Sequence, residues 1–481
     1  MSRILITLLP SNDLGLITRA LPVAQALRNV GHTVYFTVCS KVPSKLVKKE
    51  NFQNIPIRTP LDNLFFKIKT EGGIKELLKK KKYKKLFKIF FQNITMLIKS
   101  LPIGFVKPTA EVFNMEHFFV INGMHNRNYI LYKSESYMKV IKKSNAEFVI
   151  DFWNPYAVIA AKTLNIPLIT INQFDVHPYA NGFMWWKKTP PKFIKVVQKV
   201  NSVLQYYNLN IISKLEDLTI GDLTLTLGMP AKNEDENSLK LKHIGFLVYQ
   251  KENAKLPKEI ENLGDAKPIV WLYSGNPRYA GIKTDFDSEI LLDICIGTLS
   301  KENINIVLTT GFHSIPKKYL PLPHNIFYFD FVDGLLMAKK SDIMIHHGGY
   351  GSCQTALLTG TPSLIVPTFS ERESNARRIA KLGTGEFVLP VKRKFLKTKT
   401  VDKAEFVAKF RKILNDESYK KNAVEISKQL KEFNKRNNSI TYIQNFIEKY
   451  NSETKHLKSN KIIFDKKYSR NLTLISNSLY F

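Results

Sequence analysis

Apolar residues in this chain fall into short continuous blocks, each followed by a longer stretch in which they recur every three or four positions. Arg3 to Leu9 is the first block, and its length suits a strand buried on both faces. Leu16 to Val30 carries the helical spacing, Gly31-His32 breaks it, and Thr33 to Val38 reads as a second strand. Strand, helix, strand at this pitch opens a parallel, doubly wound α/β sheet. The unit recurs at Phe148 to Asp151, with a helix over Ala157 to Leu164 and a strand over Pro167 to Ile171; Asp222 to Leu227 is expected to be the last strand of this half.

From about Gly228 to Lys267 the periodicity fades into polar sequence that includes Asn233-Glu234-Asp235-Glu236-Asn237, which marks a domain junction. The pattern then restarts. Strands are predicted at Pro268 to Tyr273, Ile304 to Thr309, Asn325 to Phe329, Ser341 to Ile345 and Ser363 to Val366, with a helix over Glu289 to Ser300. Beyond Lys403 the chain reads as lysine-rich helix to about Tyr450, followed by a polar tail. The expected domains are residues 1–240, 241–430, and a C-terminal helix within 431–481 that returns to the first domain. Two α/β halves imply a cleft where ligands meet strand ends.

One loop carries most of the candidate chemistry. After the strand ending at Ile345 come His346-His347-Gly348-Gly349-Tyr350-Gly351-Ser352, and a helical pattern resumes at Gln354. Glycines let the backbone turn sharply there, so the unpaired amides of a helix start face outward and attract phosphate.

At 481 residues and 44% hydrophobic content the chain has ample material for two or three cores. No run reaches about 18 uninterrupted apolar residues, so no transmembrane helix is expected. Ile4 to Leu9 reads as a first strand rather than a signal peptide. Cys39, Cys295 and Cys353 are far apart and odd in number, which speaks against a disulfide framework or a zinc site and for a reducing cytoplasm.

The net charge of +31 raises anionic partners. Lysines crowd into 67–107, where Lys79 to Lys82, Lys84, Lys85 and Lys88 interleave with Leu77, Leu86, Phe87, Phe90 and Phe91 at helical spacing. Such a basic amphipathic helix, within 74–100, either lies on anionic lipid at the inner face of a membrane or packs its stripe on the core. Trp185-Trp186-Lys187-Lys188 through Lys199 has similar chemistry. No recognition motif for nucleic acid accompanies the charge, so none is expected as a partner.

In order and spacing, Phe331-Val332, Leu335-Leu336, Asp342, His347-Gly348-Gly349, Gly351-Ser352, Gly360-Thr361-Pro362, Pro367, Asn375-Ala376 and Gly383-Thr384-Gly385 resemble the GT-B glycosyltransferases. The likeness is to the nucleotide-sugar group that includes plant and vertebrate UDP-glycosyltransferases and bacterial macrolide and sterol glycosyltransferases. It implies two Rossmann-like domains facing across a cleft, with the acceptor held by the first and the donor by the second. His347 then matches the histidine that contacts the donor's first phosphate, and Ser352 with the amides of Gly349 to Gly351 the diphosphate cradle. Phe331 stands where a ring stacks on uracil, and Val332 where the backbone reads the base edge. Glu371 and Arg372 take the place of residues that hold sugar hydroxyls, close to Asn375. Ser274-Gly275 resembles the loop that closes over the phosphates. Amides and an imidazole neutralise a leaving diphosphate without a metal, so neither metal nor cofactor is expected beside the sugar nucleotide.

Two departures bear on mechanism. Thr355 stands where most relatives have a ribose-binding glutamate, and Leu16 where they have the histidine general base. Asp151, at the end of its strand, matches the aspartate that orients this histidine, and Asp13 is the nearest replacement on the first loop. Both are candidate bases, provided an apolar cleft raises the carboxyl pKa toward neutrality. Retaining members of the wider GT-B class commonly carry two glutamates seven residues apart in the second half; no such pair lies between His347 and Gly385, so the resemblance implies direct displacement with inversion.

The expected activity is therefore that of an inverting hexosyltransferase using a nucleotide-diphosphate sugar, UDP-linked by preference. Phe118, Phe119, Trp153, Phe183, Trp185 and Trp186 suggest an apolar or amphiphilic acceptor. The rivals are a nucleotide-sugar-binding protein without turnover and a sugar-nucleotide epimerase of the same architecture.

Overall fold

The computed structural model describes residues 1–11, 14–57, 83, 84, 87, 111–188, 196–230, 239–251, 253–264, 266–277, 287–392 and 399–453. Asp13, most of the basic segment 74–100, and Lys192, Phe193 and Lys195 of the second basic patch lie outside them.

Seven parallel strands build the first sheet in the order β3-β2-β1-β4-β5-β6-β7. They are β1 (Arg3–Leu8), β2 (Thr33–Thr37), β3 (Gln53–Asn54), β4 (Phe148–Phe152), β5 (Leu168–Gln173), β6 (Leu223–Leu227) and β7 (Lys242–His243). Six parallel strands build the second, in the order β10-β9-β8-β11-β12-β13. These are β8 (Ile269–Tyr273), β9 (Asn305–Thr309), β10 (Ile326–Phe329), β11 (Ile343–His346), β12 (Ser363–Ile365) and β13 (Gly385–Phe387). The apolar blocks form these strands because helices cover both faces; Ile4, Leu5 and Ile6 of β1 are all fully buried.

The first half does not end at β6, as the pattern suggested. Lys242 and His243 pair with Leu225 and Thr226 as a seventh strand, beyond the expected boundary at 240. Two residues in polar surroundings carry too little periodicity to show this. The helix Lys258–Glu261, also in the segment expected to mark the domain junction, buries Ile260 beside Trp271.

The helices that place the site are α1 (Ile17–Asn29), α2 (Lys41–Lys49), α3 (Arg127–Ser144), α4 (Pro155–Thr163), α5 (Glu289–Leu299), α6 (Gly334–Lys340), α7 (Tyr350–Thr359), α8 (Ser370–Lys381), α9 (Lys403–Asn415) and α10 (Glu417–Arg436). Asn154 caps α4 by accepting from the Ala157 amide, with Pro155 at the first helical turn. α10 lies along α7 in the second half, where the Ser427 hydroxyl donates to the Leu358 carbonyl at 2.7 Å. The helical segment 439–453 then returns to the first sheet, with Ile443 and Ile447 buried in the same core as Ile4 and Phe148. No described helix is long and apolar enough to cross a membrane.

The two halves are joined through α8. Arg378 donates to both carboxylate oxygens of Asp175 at 2.6 and 2.5 Å, Trp185 donates its indole N–H to the Ser374 hydroxyl at 3.0 Å, and the Val112 amide donates to the Ser370 hydroxyl at 2.6 Å. The Arg377 guanidinium lies 4.6 Å from the Trp186 ring. Both tryptophans of the second basic patch are thus engaged against the other half of the molecule.

Candidate active site

A cleft of about 460 Å³ lies between the carboxyl ends of the two sheets, a volume that suits a small-molecule site. Ligands of open α/β sheets meet strand ends where the strand order reverses, here at the β1/β4 and β8/β11 boundaries.

The second-half wall is built from the glycine loop. β11 ends at His346, which pairs in register with Tyr273 of β8, so His347 emerges directly over the Tyr273 ring, with centroids 5.8 Å apart. Glycines flank its imidazole. A Cβ on Gly349 would stand 2.7 Å from Nε2, and one on Gly275 3.1 Å from Cε1, while Gly275 also holds a φ of +62°. No larger residue fits either place without moving the ring. Gly349 is the N-cap of α7 and supplies no side chain; its carbonyl accepts from the amides of Ser352 and Cys353 at 3.0 and 3.1 Å. The amides just ahead of these have no acceptor within the helix, which leaves the positive end of α7 for an anion.

Burial first, and then the charge of Arg372, hold His347 well below the ordinary histidine value. At neutral pH its imidazole is uncharged, a hydrogen-bonding group rather than a cation. Glu371 lines the same wall, with its carboxyl raised by burial against the opposing pull of its Asn375 hydrogen bond and of Arg19 and Arg372. Asn375 donates to both the Gly348 carbonyl and Glu371 Oε1 at 2.9 Å, so it braces the loop from behind.

Of the sequence-derived donor residues, Gly275, Phe331, Val332, His347, Gly349, Gly351, Ser352, Glu371 and Arg372 line the cleft. Ser274, Gly348 and Asn375 stand behind it. Ser274 is fully buried, and its hydroxyl donates to the Gly275 carbonyl at 3.1 Å. One face of Phe331 is covered by Phe312, stacked at 4.5 Å and 6°, and the Lys49 ammonium lies 5.9 Å from its ring. Thr355 lines the wall, and its hydroxyl donates to the Gly351 carbonyl at 3.0 Å.

The first-half wall contains Leu9, Leu14, Leu16, Phe118, Trp153, Gln173 and Phe183. Leu16 is thus one of the residues that face the cleft. Phe119, by contrast, belongs to the buried core. Asp151 is 2% exposed and is not among the wall residues; its carboxyl bonds the Thr7 hydroxyl and accepts from the Asn154 amide at 2.9 Å, tying β1 to β4. Arg19 was missed by sequence reading, although an arginine on the buried stripe of α1 is a signal in itself. It lies in the cleft wall with its guanidinium 5.0 Å from the Tyr350 ring.

Burial pushes the Asp151 carboxyl up to about 7, against the lowering effect of the Thr7 and Asn154 hydrogen bonds. The folded protein thus keeps this acid protonated at pH values where the unfolded chain ionises. Its contribution to stability is full below about pH 4 and is lost as pH rises to about 7, on the order of 4 kcal/mol in all. Asp151→Asn mimics the neutral acid. Urea unfolding at pH 5 and pH 8 should show a smaller loss for the variant than for the native protein, with transfer activity retained within about tenfold. A variant lacking transfer at unchanged stability would instead make Asp151 the base.

The second half matches a family model, the C-terminal domain of erythromycin biosynthesis protein CIII-like proteins, over residues 293–433. The structure is similar over 93% of its length to 98% of the calicheamicin glycosyltransferase CalG4, with a TM-score of 0.63 at 13% identity. The chain has the GT-B fold. The GT-B spinosyn rhamnosyltransferase SpnG, solved with thymidine diphosphate, gives a TM-score of 0.57 at 15% identity, over 89% of this chain and 96% of that one. In sequence, 97 residues are 30% identical to the NDP-glycosyltransferase YjiC of Bacillus licheniformis, covering 20% of this chain and 24% of that protein. The chain spans between 21% and 62% of the length of the first curated relatives that it matches.

Proposed function

We propose that this GT-B protein is a glycosyltransferase that moves a sugar from a nucleoside-diphosphate donor to an apolar or amphiphilic acceptor. The observation that carries the reading is the placement of a neutral, glycine-flanked imidazole and an uncapped helix start opposite an apolar wall, both at strand ends. The diphosphate lies against α7 and His347, which stabilise the charge that grows as the glycosidic bond breaks. Inversion by direct displacement is the expected course. Excluding water from the cleft protects the donor from hydrolysis. Uridine is the expected base. With no carboxylate at Thr355 to bind ribose hydroxyls, and thymidine diphosphate bound by a protein of the same fold, dTDP is the competitor to measure beside it.

Leu16 in the cleft wall favours a second reading, binding of the sugar nucleotide without turnover. One experiment separates the two. The protein is titrated with UDP and dTDP, then incubated with UDP- and dTDP-sugars and a panel of hydroxylated hydrophobic acceptors. Free diphosphate with a new glycoside establishes transfer, and binding without product establishes the second reading. An altered sugar with no acceptor consumed would make the protein an epimerase. No affinity for either nucleotide would overturn the donor-site assignment.

A further inference from the structure

Two polar atoms in the first-half wall have no hydrogen-bond partner among the described residues. Gln173, at the carboxyl end of β5, is 1% exposed, and its Nε2 makes no hydrogen bond; the indole Nε1 of Trp153, one residue beyond β4, makes none either. β4 and β5 are neighbours, with Asp151 beside Thr170, so both groups leave adjacent strand ends on the same rim. Trp153 holds a φ of +63°, a left-handed backbone that a bulky residue seldom adopts. Asn172, between Thr170 and Gln173 in sequence, braces it by accepting from the Trp153 amide at 3.2 Å. The ring packs between Phe118 and Phe183, with centroids 5.9 and 5.7 Å away, and all three rings belong to the cleft wall.

Buried polar groups in folded proteins almost always find partners, so two neighbours without one in a cleft wall call for an outside partner. An indole N–H only donates, whereas a glutamine amide presents a donor or, turned over, an acceptor. Their common complement is an oxygen with lone pairs on an otherwise apolar body. We infer that Trp153 and Gln173 position the acceptor by gripping a carbonyl oxygen on its hydrophobic ring system, apart from the hydroxyl that receives the sugar. Their apolar neighbours Phe118, Phe183, Leu9 and Leu16 bind the ring faces, and the two donors set which way round the acceptor lies. Such a pairing discriminates strongly, because a ligand that lacks the oxygen leaves both groups buried and unmatched.

This inference rests on the first-half wall being the acceptor side of a transferase. Its test uses two flat bicyclic phenols of similar size, 7-hydroxycoumarin, which carries a ring carbonyl, and 2-naphthol, which does not. Calorimetry on the full chain at pH 6.5, where both phenols are neutral, is run with and without UDP. The coumarin should bind at least about fivefold more tightly than the naphthol. Gln173→Leu and Trp153→Phe should each weaken the coumarin about three- to tenfold and leave the naphthol within twofold. Equal affinity of the native protein for the two phenols, equal losses for both in the variants, or no binding of either would overturn the inference. Thermal unfolding of each variant identifies a folding defect, and Gln173→Met, which keeps the length of the side chain but loses the donor, then serves as the second variant and should weaken the coumarin by a similar factor. UDP binding in the same titration reports separately on the donor-site reading, which survives a failure of the acceptor test.

Discussion

Replacing His347 with alanine is expected to lower kcat/KM for sugar transfer about a hundredfold or more, the effect of removing one preorganised donor from a developing oxyanion. The ring is held between Gly275 and Gly349, with the Tyr273 ring nearby. Because burial keeps the imidazole neutral, it contributes no titration between pH 6 and 8. The loss in the variant should therefore be nearly independent of pH in that range. UDP affinity should fall with activity, while thermal unfolding stays close to that of the native protein. An unchanged kcat/KM would remove His347 from the donor site.

Arg378→Ala is expected to produce the largest loss of stability among single substitutions between the two halves. Asp175 is 2% exposed in the folded protein, and its carboxylate receives both of its short bonds from Arg378. Removing the guanidinium leaves a buried charge without its counter-charge, which costs about 3 kcal/mol. Arg378 itself is partly exposed and loses little by its own removal. The urea midpoint of the variant should drop, and adding Asp175→Asn to it should recover more than half of the loss, since the stranded charge is then gone. If the double variant is no more stable than Arg378→Ala, the destabilisation comes from lost packing of the arginine stem against the first half.

The junction held by Arg378 also bears on function. Ser370, Ser374, Arg377 and Arg378 all lie on α8, and so do Glu371 and Arg372 of the cleft wall. One helix thus carries both the contacts between halves and two residues of the expected sugar subsite. A change in the angle between the halves shifts this subsite relative to the acceptor wall, and loss of the Asp175 pair should raise the donor KM before it lowers kcat.

Much of the second-half wall was legible along the chain because its groups are local. The turn from His347 to Ser352 is a run of six residues, and its geometry follows from glycine conformational freedom and the unpaired amides of a helix start. The blocks Arg3 to Leu9, Phe148 to Asp151 and Pro268 to Tyr273 each announced a buried parallel strand, since a strand covered on both faces must be apolar throughout. Short elements in polar company, such as β7, left no comparable trace.

Contacts between distant residues were not legible in this way. Phe312 covers one face of Phe331, Trp185 and Trp186 meet α8 rather than forming a free patch, and Asp151, a candidate base, is buried and not among the cleft-wall residues. Whether Trp153 and Gln173 would find partners depended on what β1, β4 and the rings around them left unoccupied. The amino-acid sequence by itself determined the strand and helix periods, the glycine turn and the charge, all of which rest on neighbours a few positions apart. Only the tertiary structure decided which polar groups face the cleft, which are spent on one another and which stay unmatched, because that depends on packing between residues far apart in the chain, such as Val112 and Ser370.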